Sequence, residues 1–220
     1  MILNFIFSNL NVIVLAIWII FWIIVAIRYF CPAWVKNISF SKLAIIAFSL
    51  RIIYGIFITW GQYYVWNSNS FTQTLLNSPL AKGVPTYDFI RPLFENNLGY
   101  FSYYVLGRFW LYIFTLFIVS ILFYFLSKIW WSYRGGFSKD GPLLILILML
   151  ISGWPGVLVF IPLSLIFSII YLVFSYFRGK KEVKIEPAFI LASLVALIFN
   201  NVILDFLQKA IFFLEKVIHS

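Results

Sequence analysis

Five apolar runs of near-spanning length, separated by short basic loops, leave this chain few ways to fold. They are Leu10 to Tyr29, Leu43 to Trp60, Phe109 to Leu126, Val157 to Phe177 and Ala188 to Leu204. Each comes close to the roughly 20 residues that carry a helix across a hydrocarbon layer about 30 Å thick. Hydrocarbon offers no partner for a free peptide group, so runs of this kind cross as helices. The predicted fold class is therefore all-α, a polytopic membrane helix bundle. Composition excludes the soluble alternative: with 64% hydrophobic and only 10% charged residues, a 220-residue chain has too little polar surface to face water. The net charge of +9 would point to nucleic acid in a soluble domain. Here the basic residues lie between apolar runs, where they set orientation, and no nucleic-acid partner is expected.

A sixth run, Pro142 to Ser152, is short. At 1.5 Å per residue its length is roughly 16 Å, about half of a hydrocarbon core. Loop charge predicts what it does. Arg28, Lys36 and Lys42 mark the first loop as cytoplasmic, Lys128, Arg134 and Lys139 the third, and Arg178, Lys180, Lys181 and Lys184 the fifth. The stretch from Gly141 to Phe177 must then leave and return, turning at Gly153-Trp-Pro-Gly156. The topology that follows has about six segments, with both termini and a long second loop outside, in a single membrane domain over residues 1–220. Within it, residues 62–99 read as an irregular loop rich in turn residues, whose Tyr63, Tyr64, Trp66, Phe71, Tyr87 and Phe89 suit a membrane interface. Residues 205–220 read as an amphipathic interfacial tail, with His219 solvated at its end.

Asp140 is the acid that stands out, at the mouth of the short run in Arg134-Gly-Gly-Phe-Ser-Lys-Asp-Gly-Pro142. A carboxylate at a membrane boundary is costly to keep and marks a candidate site. It also suits a plain helix start beside Pro142. Glu186 reads as a solvated loop acid that could approach Asp140 if the hairpin brings the loops together. Arg51, near the middle of a span, calls for a backbone partner or a route to the interface. Arg108 sits where its span begins. Cys31 is the only cysteine, so an intrachain disulfide and a CxxC zinc or redox motif are both excluded. No metal grouping or phosphate-binding glycine loop occurs, and no cofactor is expected. Residues 1–11 lack the basic start of a cleaved signal peptide.

The order of these pieces resembles the C-terminal half of the prepilin peptidases, the GxGD class of intramembrane aspartyl proteases. The matching parts are Gly135-Gly136 with Asp140, Gly153-Trp154-Pro155-Gly156, the basic loop Arg178 to Lys184, and the run Lys184-Ile-Glu-Pro-Ala-Phe-Ile-Leu-Ala-Ser-Leu-Val-Ala-Leu197. Together they cover about residues 123–199. The resemblance implies a prokaryotic plasma membrane protein that removes the leader of type IV pilin-like precursors at the cytoplasmic face. Its two aspartates would activate a water, and its partners would be membrane lipid and the precursor.

That chemistry needs two carboxyls near enough to share a proton, one ionised as base and one neutral as acid. Asp140 supplies one candidate. No Asp or Glu precedes Asp88, so the early cytoplasmic loop, where the resemblance puts the first aspartate, has none, and Ser49-Leu-Arg51 carries serine where the acid would stand. Asp88 is the other candidate catalytic residue, although loop charge assigns it to the outer side. The second motif departs as well, reading Phe137-Ser-Lys-Asp140 in place of Gly-x-Gly-Asp. Two functions fit these residues. One is a prepilin-peptidase-like membrane protein, active or with a degenerate site. The other is a non-enzymatic polytopic scaffold or subunit of an envelope or export assembly.

Overall fold

A computed structural model describes residues 9–87, 89–134, 138–179 and 183–218. Eight α-helices appear among them: α1 (Leu10–Phe30), α2 (Phe40–Asn67), α3 (Ser70–Leu76), α4 (Gly99–Val105), α5 (Leu111–Arg134), α6 (Gly141–Ser152), α7 (Gly156–Phe177) and α8 (Glu186–Ile218). A 3-10 turn, Arg91–Phe94, precedes α4, and a π turn, Leu106–Trp110, joins α4 to α5. No strand occurs among the described residues, as expected. Four helical stretches are long and apolar enough to cross a membrane: Leu10–Phe30, Phe40–Asn67, Gly99–Trp130 and Gly156–Phe177. Gly141–Ser152 and Glu186–Phe199 are shorter apolar stretches. The helices overrun the apolar runs of the sequence because hydrogen bonding carries them on into aromatic and polar residues.

The chain divides into two compact units, one of Met1–Phe48 with Leu116–Ser220 and the other of Ser49–Thr115. At the centre of the first lies α6. Its residues Leu144 to Ile151 are all buried, and only Leu143 is partly open. A helix apolar on every side is a core helix, and this one packs against α1, α7 and α8. At 12 residues it is roughly 18 Å long, too short to cross alone and long enough to fill a bundle. Pro142 in its first turn sacrifices only an N–H that has no helical partner there. Gly153 ends it at φ +69°, the left-handed region open to glycine.

Helices α7 and α8 form the most extensive contact in this unit, and small side chains bring them together. Ala188, Ala192 and Ala196 are buried at four-residue spacing on α8, and Gly156, Phe160, Ser164 and Ser168 on α7. Lipid supplies no hydrophobic drive between helices, so close van der Waals packing must do it. Buried serines keep their hydroxyls satisfied by bonding back along the helix, Ser168 Oγ to the Ser164 carbonyl at 2.6 Å and Ser152 Oγ to that of Leu148 at 2.9 Å. Across the bundle, Trp22 on α1 donates its indole N–H to the Ile190 carbonyl at 3.1 Å and to Ser193 Oγ at 3.0 Å on α8. Helix α1 turns Trp18, Phe21 and Val25 inward and Val12, Ile17 and Ile20 outward, the division between bundle and lipid.

In the second unit α2 meets the start of α5 closely. A Cβ on Gly55 would stand 2.7 Å from Ile113 Cδ1, and Trp110 Nε1 donates to Thr59 Oγ1 at 3.1 Å. The second loop is more ordered than its turn residues announce. Trp66, Leu76, Phe101 and Val105 form a small apolar core beneath it. Leu80 N–H bonds the Phe94 carbonyl at 3.0 Å and Tyr100 N–H that of Ser78 at 3.1 Å, closing the loop on itself. Arg91 donates to the Lys82 carbonyl at 2.7 Å and holds the loop's other arm. Residues 205–218 continue α8 without a break, so the span and the amphipathic tail expected separately are one helix; Asp205 and Lys209 are exposed on it. His219 lies outside the described residues.

Candidate functional site

The loop before α6 and the loop before α8 come together. Their link is a carboxylate. Glu186, the first residue of α8, accepts the backbone N–H of Ser138 through Oε1, and Ser138 lies two residues before Asp140. The side chain of Glu186 is 0% exposed. Its second oxygen, Oε2, is buried with no hydrogen-bond partner among the described residues. Tyr29, at the end of α1, lies within electrostatic reach of both Glu186 and Tyr171 of α7. Three helices thus bring polar groups to one end of the bundle.

The burial of Glu186 corrects its reading as a solvated acid. An isolated charge inside a protein costs several kcal/mol unless it is paired or hydrogen-bonded. Two local features offset that cost here. The α8 N-terminus directs its free N–H dipoles at the first turn, and the Ser138 N–H fills one oxygen. The signal was present in the sequence: Pro187 marks a helix start, and Ile185, Ala188 and Phe189 around it are apolar residues that pull the acid inward.

Asp140 is placed otherwise. It occupies the N-cap position of α6 and its backbone carbonyl accepts Leu144 N–H at 3.0 Å, yet its side chain makes no capping hydrogen bond. The residue is exposed, and so is Lys139. No hydrogen bond joins the Asp140 carboxylate to another described residue. Asp88, the second candidate, lies outside the described residues, as do Gly135, Gly136, Lys180 and Lys181. Serine 138 was not singled out in the sequence, since a residue that acts through its backbone N–H carries no side-chain signal.

Other polar residues fall as follows. Arg51 is 8% exposed, buried within α2. Arg108 is exposed in the π turn, where one extra residue per turn displaces the helix face. No group of three His, Cys, Asp or Glu able to hold a metal occurs among the described residues.

Chemically, the mouth of α6 presents one carboxyl in contact with solvent and one sealed from it. The buried acid is set to hold a loop by its backbone. The exposed acid is free to meet a basic or hydrogen-bond-donating group from outside. No protein-family model, curated protein or solved structure matches the chain.

Proposed function

We propose that this chain is a non-cleaving relative of the prepilin peptidases, an integral protein of the prokaryotic plasma membrane that keeps the architecture of the family around α6 and works as a membrane-embedded binding subunit. Its partner is the membrane-inserted leader segment of a type IV pilin-like precursor, met at the cytoplasmic face. The chain crosses in six segments, with α6 as the short limb of a hairpin and both termini outside.

One observation carries this reading: the two acids at the mouth have different environments and different work. Glu186 is fully buried and engaged with Ser138, while Asp140 stands in solvent. Hydrolysis by paired carboxyls requires both to address the same water, one as base and one as acid. A carboxyl sealed from solvent and another open to it do not share a water. The absence of any acid before Asp88 in the sequence supports the same conclusion from the other side of the dyad.

The test is co-expression with a type IV pilin precursor, reading leader removal by mass and association by site-specific crosslinking. The precursor is expected to keep its leader and to crosslink near Asp140. Leader removal that disappears in Asp140→Asn would restore the catalytic reading. Absence of any crosslink, with the leader intact, would favour a scaffold of another envelope assembly.

A further inference from the structure

Helix α7 leaves its last two turns bare. Leu172, Val173, Tyr176 and Phe177 all stand exposed there, the last two at 80% and 81%. With Val183, from the chain that leads into α8, they line a hollow of about 430 Å³. Ligand sites commonly hold roughly 300 to 1,000 Å³. The hollow comes from the way α7 stops. Arg178 N–H bonds the Phe174 carbonyl at 3.3 Å and Gly179 N–H that of Tyr176 at 2.9 Å. Gly179 then takes φ +69°, the left-handed residue with which a helix end reverses its chain. The reversal returns Val183 to the face that carries Val173 and Phe177, and the groove lies between them.

Two cations border this apolar groove. Lys184 follows Val183 and is exposed. Arg178 follows Phe177 and folds back along α7, its guanidinium carbon 4.2 Å from the centroid of the Phe174 ring. Phe174 and Phe177, three residues apart, are neighbours on the helix surface. The guanidinium is therefore held beside the groove, about a turn inside the helix end, and does not reach out into water. Neither Arg178 nor Lys184 has an ion pair or a side-chain hydrogen bond to a described residue, so both keep their donors for a ligand. Across the whole loop Arg178, Lys180, Lys181 and Lys184 stand against Glu182 alone, and its field is positive.

We infer that this groove is a site for an anionic phospholipid, with an acyl chain against Leu172, Val173, Tyr176 and Phe177 and the phosphate between Arg178 and Lys184. An apolar groove with an ammonium and a guanidinium at one end matches an amphiphile that has an apolar tail and an anionic head. A second copy presenting the same helix end would bring like charges together. The inference needs only that α7 crosses a membrane, and it stands or falls apart from the peptidase resemblance.

The experiment is native mass spectrometry of the full chain in detergent, titrated with phosphatidylglycerol and with phosphatidylcholine of the same acyl chains. Phosphatidylglycerol is expected to bind in preference. Arg178→Gln with Lys184→Gln should abolish that preference, at roughly fivefold for each cation. Lys36→Gln with Lys42→Gln removes as much charge from the first loop and should leave it in place. All four side chains are exposed, so neither double variant disturbs the packing. An equal loss in both double variants assigns the preference to diffuse surface charge and overturns the inference, as does the absence of any preference in the unaltered chain. Displacement of phosphatidylglycerol by glycerol 3-phosphate assigns the cations to a water-soluble anion and overturns it too. Leu172→Trp fills the groove with both cations intact and should weaken phosphatidylglycerol binding; binding unchanged by it removes the acyl chain from the groove and the inference fails.

Discussion

At the mouth of α6 a carboxylate is sealed inside the protein, whereas in the cap that the second loop forms two aromatic rings, Tyr87 and Phe89, stand exposed. In a soluble protein the two would be exchanged. The difference follows from what each region meets. The mouth sits where helix ends gather, so backbone N–H groups and helix dipoles are available to hold a charge away from water. In the cap the Tyr87 and Phe89 rings stack on one another, with centroids 5.8 Å apart. Burial of the Glu186 carboxylate therefore depends on the hydrogen-bond donor that the neighbouring loop supplies.

The strongest way to break the comparison is to damage one region and watch the other. Gly99→Ala places a Cβ 1.7 Å from a backbone oxygen, a clash that only main-chain movement relieves. The expected cost is about 3 kcal/mol, the upper end for overpacking. Trypsin should then cut after Lys82 in the cap, the Arg91–Pro92 bond being resistant to it, while cleavage after Lys139, beside Ser138, stays unchanged. Equal loosening of both regions would show that they are not separate compact units.

Next in size is Glu186→Ala, which leaves the Ser138 N–H without its acceptor and opens a void at a fully buried position. A loss of about 2 kcal/mol is expected from the orphaned donor, measured by unfolding in mixed micelles. Glu186→Gln keeps a carbonyl oxygen for Ser138 and offers an amide N–H where Oε2 now has no partner, so it should recover most of that loss. A Gln variant as weak as the Ala variant would show that the charge, and not the hydrogen bond, holds the loop.

Smaller again is Trp22→Phe, which removes the donor shared by the Ile190 carbonyl and Ser193 Oγ and keeps most of the ring packing. Interhelical hydrogen bonds in membranes average about 0.6 kcal/mol and reach about 1.7. A loss near 1 kcal/mol is expected by steric trapping. No loss would assign the α1–α8 seam to packing alone.

Much of the bundle was legible in the runs themselves. Length alone identified Pro142 to Ser152 as a helix unable to cross, and the burial of Leu144 to Ile151 is the structural form of that fact. The hairpin turn at Gly153 was equally legible, because its backbone conformation needs a glycine. The cap was not, since its order comes from bonds such as Leu80 to Phe94 and from a core assembled between Trp66, Leu76 and Phe101, none of which is local in sequence. At the site, Asp140 announced itself by its glycines and turned out to be exposed. Glu186 looked like one acid in a basic loop: Pro187 and the apolar residues beside it mark a helix start, but the Ser138 N–H that meets the carboxylate lies 48 residues away in sequence.

The smallest effect should belong to Asp140. Its carboxylate makes no capping bond and stands in solvent, so Asp140→Asn removes a charge without removing a contact to any described residue. The helix dipole of α6 still favours an acid there, but an exposed charge at a helix start contributes only some tenths of a kcal/mol, screened by salt. Stability is expected to change by less than about 0.5 kcal/mol, and less still at high ionic strength. A loss approaching that of Glu186→Ala would mean that Asp140 is engaged in the folded protein after all, and the division of labour between the two acids would fail. A change confined to precursor crosslinking, with stability intact, would leave Glu186 as the acid that holds the mouth and Asp140 as the one that meets the partner.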